Sequence, residues 1–80
     1  MSTVQRRVVA ITGGTRGIGR AIAELFFARS ATVAVCSRSP RDTELPQEMF
    51  HCVVDVRKRE DHRRFVTAVM ERFGRLDVFV

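Results

Sequence analysis

The chain contains no tyrosine, no tryptophan, a single lysine (Lys58), two prolines and two cysteines. Without tyrosine, no mechanism that uses a phenol as acid or base can run within these 80 residues. Long apolar runs are missing too: the longest reach about four residues, against the ~20 that a membrane-spanning helix needs. The stretch from Met1 to Arg7 meets two arginines without a continuous apolar core or a small-residue cleavage site, and so does not read as a secretory signal. Cys36 and Cys52 both fall inside apolar, strand-like runs, with no third cysteine or well-spaced histidine beside them. They read as buried free thiols of a chain in a reducing compartment, the cytoplasm; a disulfide or metal pair is the alternative. No metal site is expected.

No block of like charge reaches five residues either. The net charge is +5, and the thirteen arginines are scattered along the chain, with no aromatic residues interleaved among them in a stacking pattern. That pattern describes a solvated surface and gives no nucleic-acid or membrane partner, although a basic chain suits an anionic cofactor. What is present is an ordinary globular composition, 45% hydrophobic and 29% charged. Eighty residues make one small domain or a piece of a larger one. A chain of that size buries only about 60–65% of its unfolded surface.

Periodicity alternates between strand-like and helix-like stretches. Residues 7–12, 32–37, 50–54 and 76–80 read as strands, the first of them a β-branched run that ends at glycines. Residues 17–30 switch to a 3.6-residue period that places Ile18, Ile22, Leu25 and Phe26 on one face. Residues 59–73 repeat the pattern with Phe65, Val66, Val69 and Phe73, and Gly74 is placed to end that helix. Between the second and third strands, Pro40 and Pro46 bracket a polar stretch that predicts an irregular loop or a stunted helix. The order β-α-β-loop-β-α-β predicts an α/β fold: half of a Rossmann-type, doubly wound parallel sheet with strand order 3-2-1-4.

The chemistry concentrates where the first strand meets the first helix, at Thr12-Gly13-Gly14-Thr15-Arg16-Gly17-Ile18-Gly19. A sharp turn, a backbone that lies against a diphosphate and a helix packed close to the sheet each require glycine. The helix N-terminus then offers unpaired N–H groups and partial positive charge to an anion, with Arg16 beside it. A ligand-free glycine turn is the bland alternative; the strand before the motif and the helix after it favour a dinucleotide-phosphate site. A Walker-type loop is disfavoured, because no Gly-Lys-Ser/Thr follows the glycines.

Thr12-Gly13-x3-Gly17-Ile18-Gly19 resembles the cofactor motif of the short-chain dehydrogenase/reductase family. Cys52-Val53-Val54-Asp55-Val56 resembles the family's third strand, and Gly74-Arg75-Leu76-Asp77-Val78-Phe79-Val80 its fourth. The wording Thr-Gly-Gly-Thr-Arg-Gly-Ile-Gly-Arg is similar to that of 3-oxoacyl-carrier-protein reductases and their relatives. The resemblance implies NAD(P)-dependent hydride transfer between a carbonyl and an alcohol. It also implies a cofactor set of Thr12, Gly13, Thr15, Arg16, Gly17, Ile18 and Gly19 on the first turn, with Asp55 and Val56 after the third strand. Asp55 would accept from the adenine amino group; its other reading is a helix cap ahead of Arg59. Thr12 would be left without the Asn-Asn-Ala-Gly turn that it holds in the family. The second strand ends in Ser37-Arg38 with no acid, which points to the 2′-phosphate of NADP(H) over the ribose hydroxyls of NAD(H). His51 and His62 read as structural or surface residues.

The family's Tyr-x-x-x-Lys pair and catalytic Ser are not found here, so no catalytic residue is assigned and no hydride chemistry is expected of the chain alone. The whole chain, residues 1–80, is expected to be a partial NAD(P)-binding domain cut within its fourth strand. Its substrate would be a small carbonyl or alcohol in a complete enzyme. An exposed fourth strand invites self-association or partial folding. A stand-alone nucleotide-binding module and a sheet-edge interaction protein remain the alternatives.

Overall fold

The computed structural model describes residues 7–15, 17–38 and 45–80. The elements are β1 (Val8–Thr12), α1 (Gly17–Ala28), β2 (Thr32–Ser37), β3 (Phe50–Val53), α2 (Arg59–Phe73) and β4 (Val78–Phe79). They form one four-stranded sheet in the order β3-β2-β1-β4, with every pairing parallel. This is the predicted Rossmann-type order.

The strands are apolar at consecutive positions because both sheet faces are covered. Val8, Ala10, Ala34 and Cys36 point to the α2 face, where Phe65 and Val69 meet them. Val9, Ile11, Val33 and Val35 point to the α1 face, around Ala23. β4 is shorter than predicted, yet its ladder extends beyond the strand. Asp77 N–H donates to the Val8 carbonyl at 2.9 Å, and Val80 N–H to that of Ala10 at 2.9 Å.

The buried face of α1 differs from the predicted one. Ile18 is 81% exposed and Leu25 53%, while Ala23 is buried and Ile22, Phe26 and Phe27 pack around it. At 3.6 residues per turn, this rotates the core face by roughly a quarter-turn. Gly19 explains the rotation, since it presses against the backbone of the preceding turn and so fixes which side of α1 meets the sheet. The helix ends two residues earlier than predicted, at a left-handed Ser30 with φ 68°. Ser30 N–H donates to Phe27 and Ala31 N–H to Phe26, at 3.0 and 3.1 Å. These are the two bonds of a Schellman cap.

No described residue between β2 and β3 is helical. Leu45 and Met49 instead plug the α1-face core, exposed by only 4% and 1%, and a turn closed by Met49 N–H to the Pro46 carbonyl at 3.0 Å leads into β3. Two apolar side chains thus do part of a helix's covering work. α2 carries Glu60 and Asp61 in its first turn and Arg72 in its last, as the helix dipole favours. It ends, as predicted, at a left-handed Gly74 whose N–H reaches the Met70 carbonyl. No helix among the described residues is long and apolar enough to cross a membrane.

Candidate functional site: the carboxyl edge of the sheet

The turn after β1 shows a division of labour among its glycines. Gly13 and Gly17 have φ of 65° and 57°, and a side chain at either would meet no atom within 4 Å. Conformation requires glycine there, and the space beside them is open. Gly14 and Gly19 are required by contact. A Cβ at Gly14 would sit 2.5 Å from Val35 Cγ1, and one at Gly19 would collide with the Gly13 carbonyl oxygen. Gly13 N–H donates to the Cys36 carbonyl at 3.0 Å, which ties the turn to β2. α1 has no acidic residue in its first turn, so nothing there opposes the attraction of its N-terminus for an anion. Arg16 lies outside the described residues.

Beside this turn lies a cavity of about 300 Å3, lined by Gly13, Thr15, Cys36, Ser37, Arg38, Val54, Asp55, Val56 and Arg57. It sits where open α/β sheets bind ligands, outside the carboxyl ends of the strands. The structure brings six residues of the sequence-derived set to its wall: Gly13, Thr15, Ser37, Arg38, Asp55 and Val56. Thr12, Gly17, Ile18 and Gly19 are not on that wall. Thr12, expected to be without the Asn-Asn-Ala-Gly turn, is held by the fourth strand: its N–H and hydroxyl both reach the Val80 carbonyl, at 3.0 and 3.2 Å. Its work is to join β1 to β4.

Asp55 does not cap α2. The cap position is Lys58, without a side-chain bond. Asp55 instead closes a turn: its carboxylate accepts Arg57 N–H at 3.1 Å and its carbonyl accepts Lys58 N–H at 2.9 Å. The Arg57 guanidinium then grips the same carboxylate with Nε on Oδ1 at 3.0 Å and Nη2 on Oδ2 at 2.9 Å. Asp55 N–H is itself held by Asp61 Oδ2 at 2.9 Å, from the first turn of α2. The Arg57 hydrogen bond, with the positive charges of Arg57 and Arg38, lowers the Asp55 carboxyl to about 2.

Two neighbours of the site were not assigned from sequence. Arg57 stands two residues after an Asp, the spacing of an Asx-turn, and that was the available signal. His51 Nε2 lies 2.8 Å from Ser37 Oγ. The β2–β3 register pairs Val35 with His51, so strand alternation puts His51 and Ser37 on one face. Cys36 and Cys52 are register partners and free thiols. Burial pushes both up from the ordinary thiol value, with Gly13 N–H pulling Cys36 the other way and Arg64 doing so for Cys52. Both are therefore protonated near neutral pH.

The sequence profile described as "short chain dehydrogenase" matches residues 7–80. The chain belongs to the short-chain dehydrogenase family. It is 39% identical over 79 residues to an L-fucose dehydrogenase of Bos taurus, covering 92% of this chain and 29% of that protein. Among solved structures it is similar to an NADH-dependent reductase, A1-R′, complexed with NAD, at TM-score 0.83 and 30% identity over 94% of this chain and 35% of that one. It is also similar to the 3-ketoacyl-(acyl-carrier-protein) reductase of Brucella melitensis complexed with NADH, at TM-score 0.82 and 26% identity over 91% and 32% of the two chains. The chain thus spans under a third of the length of the curated relatives it matches. The family supports a nicotinamide dinucleotide as the ligand of the carboxyl edge. The glycines fit one: Gly13 lines the cavity and leaves open space where any side chain would intrude.

Proposed function

We propose that this chain is the NADP(H)-holding portion of a short-chain dehydrogenase, with the adenosine half of the cofactor in the cavity between Gly13, Arg38 and Asp55. The observation that carries the preference for NADP(H) is the placement of Arg38 and Ser37 together on the cavity wall at the end of β2. A guanidinium can pair with a ribose 2′-phosphate through two parallel hydrogen bonds, and an acid at that place would repel it. The neighbours bound to NAD and NADH set the opposite expectation, so the side chains of this chain must decide. Thr15 and Val56 would flank the nucleotide. Gly17, Ile18 and Gly19 would serve the diphosphate from the first turn of α1.

In the complete enzyme, hydride would pass between the nicotinamide and a small carbonyl or alcohol. The proton donor and the nicotinamide pocket require residues that these 80 do not include, since the chain has no tyrosine. The cytoplasm, a reducing compartment, suits the two free cysteines, Cys36 and Cys52.

The test is calorimetric titration of the chain and its Arg38→Asp variant with NADPH and NADH. The parent should favour NADPH, and Arg38→Asp should remove on the order of tenfold of that preference, the worth of one charge-assisted contact. An unchanged ratio would refute the assignment.

A second reading rests on β4, an edge strand of the described sheet, where Phe79 and Val80 are 41% and 45% exposed. An apolar edge pairs readily with another sheet, so self-association through β4 is the partner reading. Sedimentation of the chain against a Phe79→Lys variant tests it: the parent should sediment as a dimer or larger, and the variant as a monomer.

A further inference from the structure

The cavity proposed for adenosine carries a contradiction. Its wall holds an ionised carboxylate, Asp55, close enough to Arg38 for their charges to interact. A carboxylate there competes for the cation that should receive the 2′-phosphate, and repels the phosphate itself. Arg57 resolves this. Its side chain is 72% exposed, yet it spends both a backbone N–H and a guanidinium fork on Asp55 alone. The turn that presents it is pinned from below by the Asp55 N–H bond to Asp61, so the fork is set before any ligand arrives.

We propose that Arg57 is a specificity-determining positioning residue. By gripping the Asp55 carboxylate and offsetting its charge, it leaves Arg38 available to a 2′-phosphorylated adenosine and lets Asp55 face the adenine without repelling that phosphate. This inference rests on the reading that the adenosine half occupies this cavity. Three observations carry it. Arg57 and Arg38 line the same space. Both Asp55 oxygens are engaged by Arg57 at 2.9–3.0 Å. Oδ1 accepts both the Arg57 Nε and its backbone N–H, whereas Oδ2 accepts only Nη2 and keeps a lone pair for a donor such as an adenine amino group. A lysine could supply the charge but not the fork.

The experiment uses the full chain and two probes confined to the adenosine half, adenosine 2′,5′-bisphosphate and 5′-AMP, titrated by calorimetry at constant low salt. Arg57→Ala should weaken the bisphosphate about fivefold to tenfold, the scale of one uncompensated charge facing a phosphate across water-exposed protein. 5′-AMP should weaken by less than about threefold, since only orientation is lost. The double variant Arg57→Ala/Asp55→Asn should recover the bisphosphate-to-AMP ratio, because the charge needing an offset is gone. A double variant that stays as low as Arg57→Ala overturns the inference, since Arg57 would then touch the phosphate directly. Equal loss of both ligands in Arg57→Ala also overturns it. If the parent binds neither probe, or binds both equally, the underlying reading fails; if the parent prefers the bisphosphate and Arg57→Ala keeps that preference, only this inference fails. A readout independent of ligand is the Asp55 carboxyl titration followed by NMR. It should lie near 2 in the parent and move up toward the ordinary 3.8 in Arg57→Ala.

Discussion

Substituting Gly19 by alanine tests the close approach on which the candidate site depends. A methyl group there would strike the Gly13 carbonyl oxygen, lie 3.0 Å from the Gly13 carbonyl carbon and 3.4 Å from Gly14 Cα. All three are backbone atoms, so relief requires the turn or the start of α1 to move. Overpacking of this kind costs about 1–3 kcal/mol, and a clash with backbone belongs at the upper end. Alanine recovers about 1 kcal/mol of helix propensity over glycine, leaving a net loss of about 2 kcal/mol. In a domain of this size that lowers the midpoint of thermal unfolding by roughly 8–16 °C. Gly17→Ala loses about 1 kcal/mol for a different reason, a left-handed φ of 57° with nothing nearby to strike. Asparagine separates the two causes: it tolerates the left-handed region, so Gly17→Asn should stay close to the parent while Gly19→Asn is at least as damaging as alanine. Far-UV circular dichroism of dilute samples in urea is the assay, because the chain has no tryptophan or tyrosine to report by fluorescence. A Gly19→Ala chain as stable as the parent would show that α1 does not press on the turn, and would remove the reason given for the rotation of its buried face.

Other expected outcomes follow from the same contacts. Ser30→Gly should stabilise the chain by about 0.5–1 kcal/mol in the same urea assay, because it removes left-handed strain at φ 68° and keeps both capping bonds. Asp77 accepts the Val8 N–H at 2.8 Å and a forked pair from Arg75, so Asp77→Ala should lower the unfolding midpoint more than Asp77→Asn, which keeps an acceptor for Val8. Arg75 and the Val8 N–H hold the Asp77 carboxyl below its ordinary value, as Arg57 holds Asp55 near 2. A depressed carboxyl adds stability above its unfolded value and loses it as pH falls through the folded one. Stability should therefore decline on acidification from about 3.8 toward 2, and an Asp77→Asn/Asp55→Asn chain should show a shallower decline over that window in acid titration by circular dichroism.

The backbone of this fold was legible because its signals are local. Glycines follow the β-branched run of β1, Gly74 closes α2, and the strand-helix alternation dictates a parallel sheet. The rotation of α1 was not legible. A stripe of Ile18, Ile22, Leu25 and Phe26 looks more hydrophobic than the face that is buried, and only the non-local contact of Gly19 with Gly13 overrides it. The covering role of Leu45 and Met49 was hidden for a similar reason, since two apolar residues on either side of Pro46 in a polar connection carry no periodicity. In the site, glycine and charge types marked the turn and the end of β2. The grip of Arg57 on Asp55 and the contact of His51 with Ser37 depend on turn geometry and strand register. Thr12 was marked by its place in the motif, whereas its contact with the Val80 carbonyl depends on the pairing of β1 with β4.

The central claim is that the cavity at the carboxyl edge holds the adenosine half of NADP(H). Amide NMR of the chain titrated with adenosine 2′,5′-bisphosphate tests it most directly. The expected result is saturable shifts largest at Gly13, Thr15, Ser37, Arg38, Asp55 and Val56, with affinity above that for 5′-AMP. Shifts that cluster instead on β4 and the face of α2 around His62 and Phe79, or affinity no greater than for 5′-AMP, would contradict it.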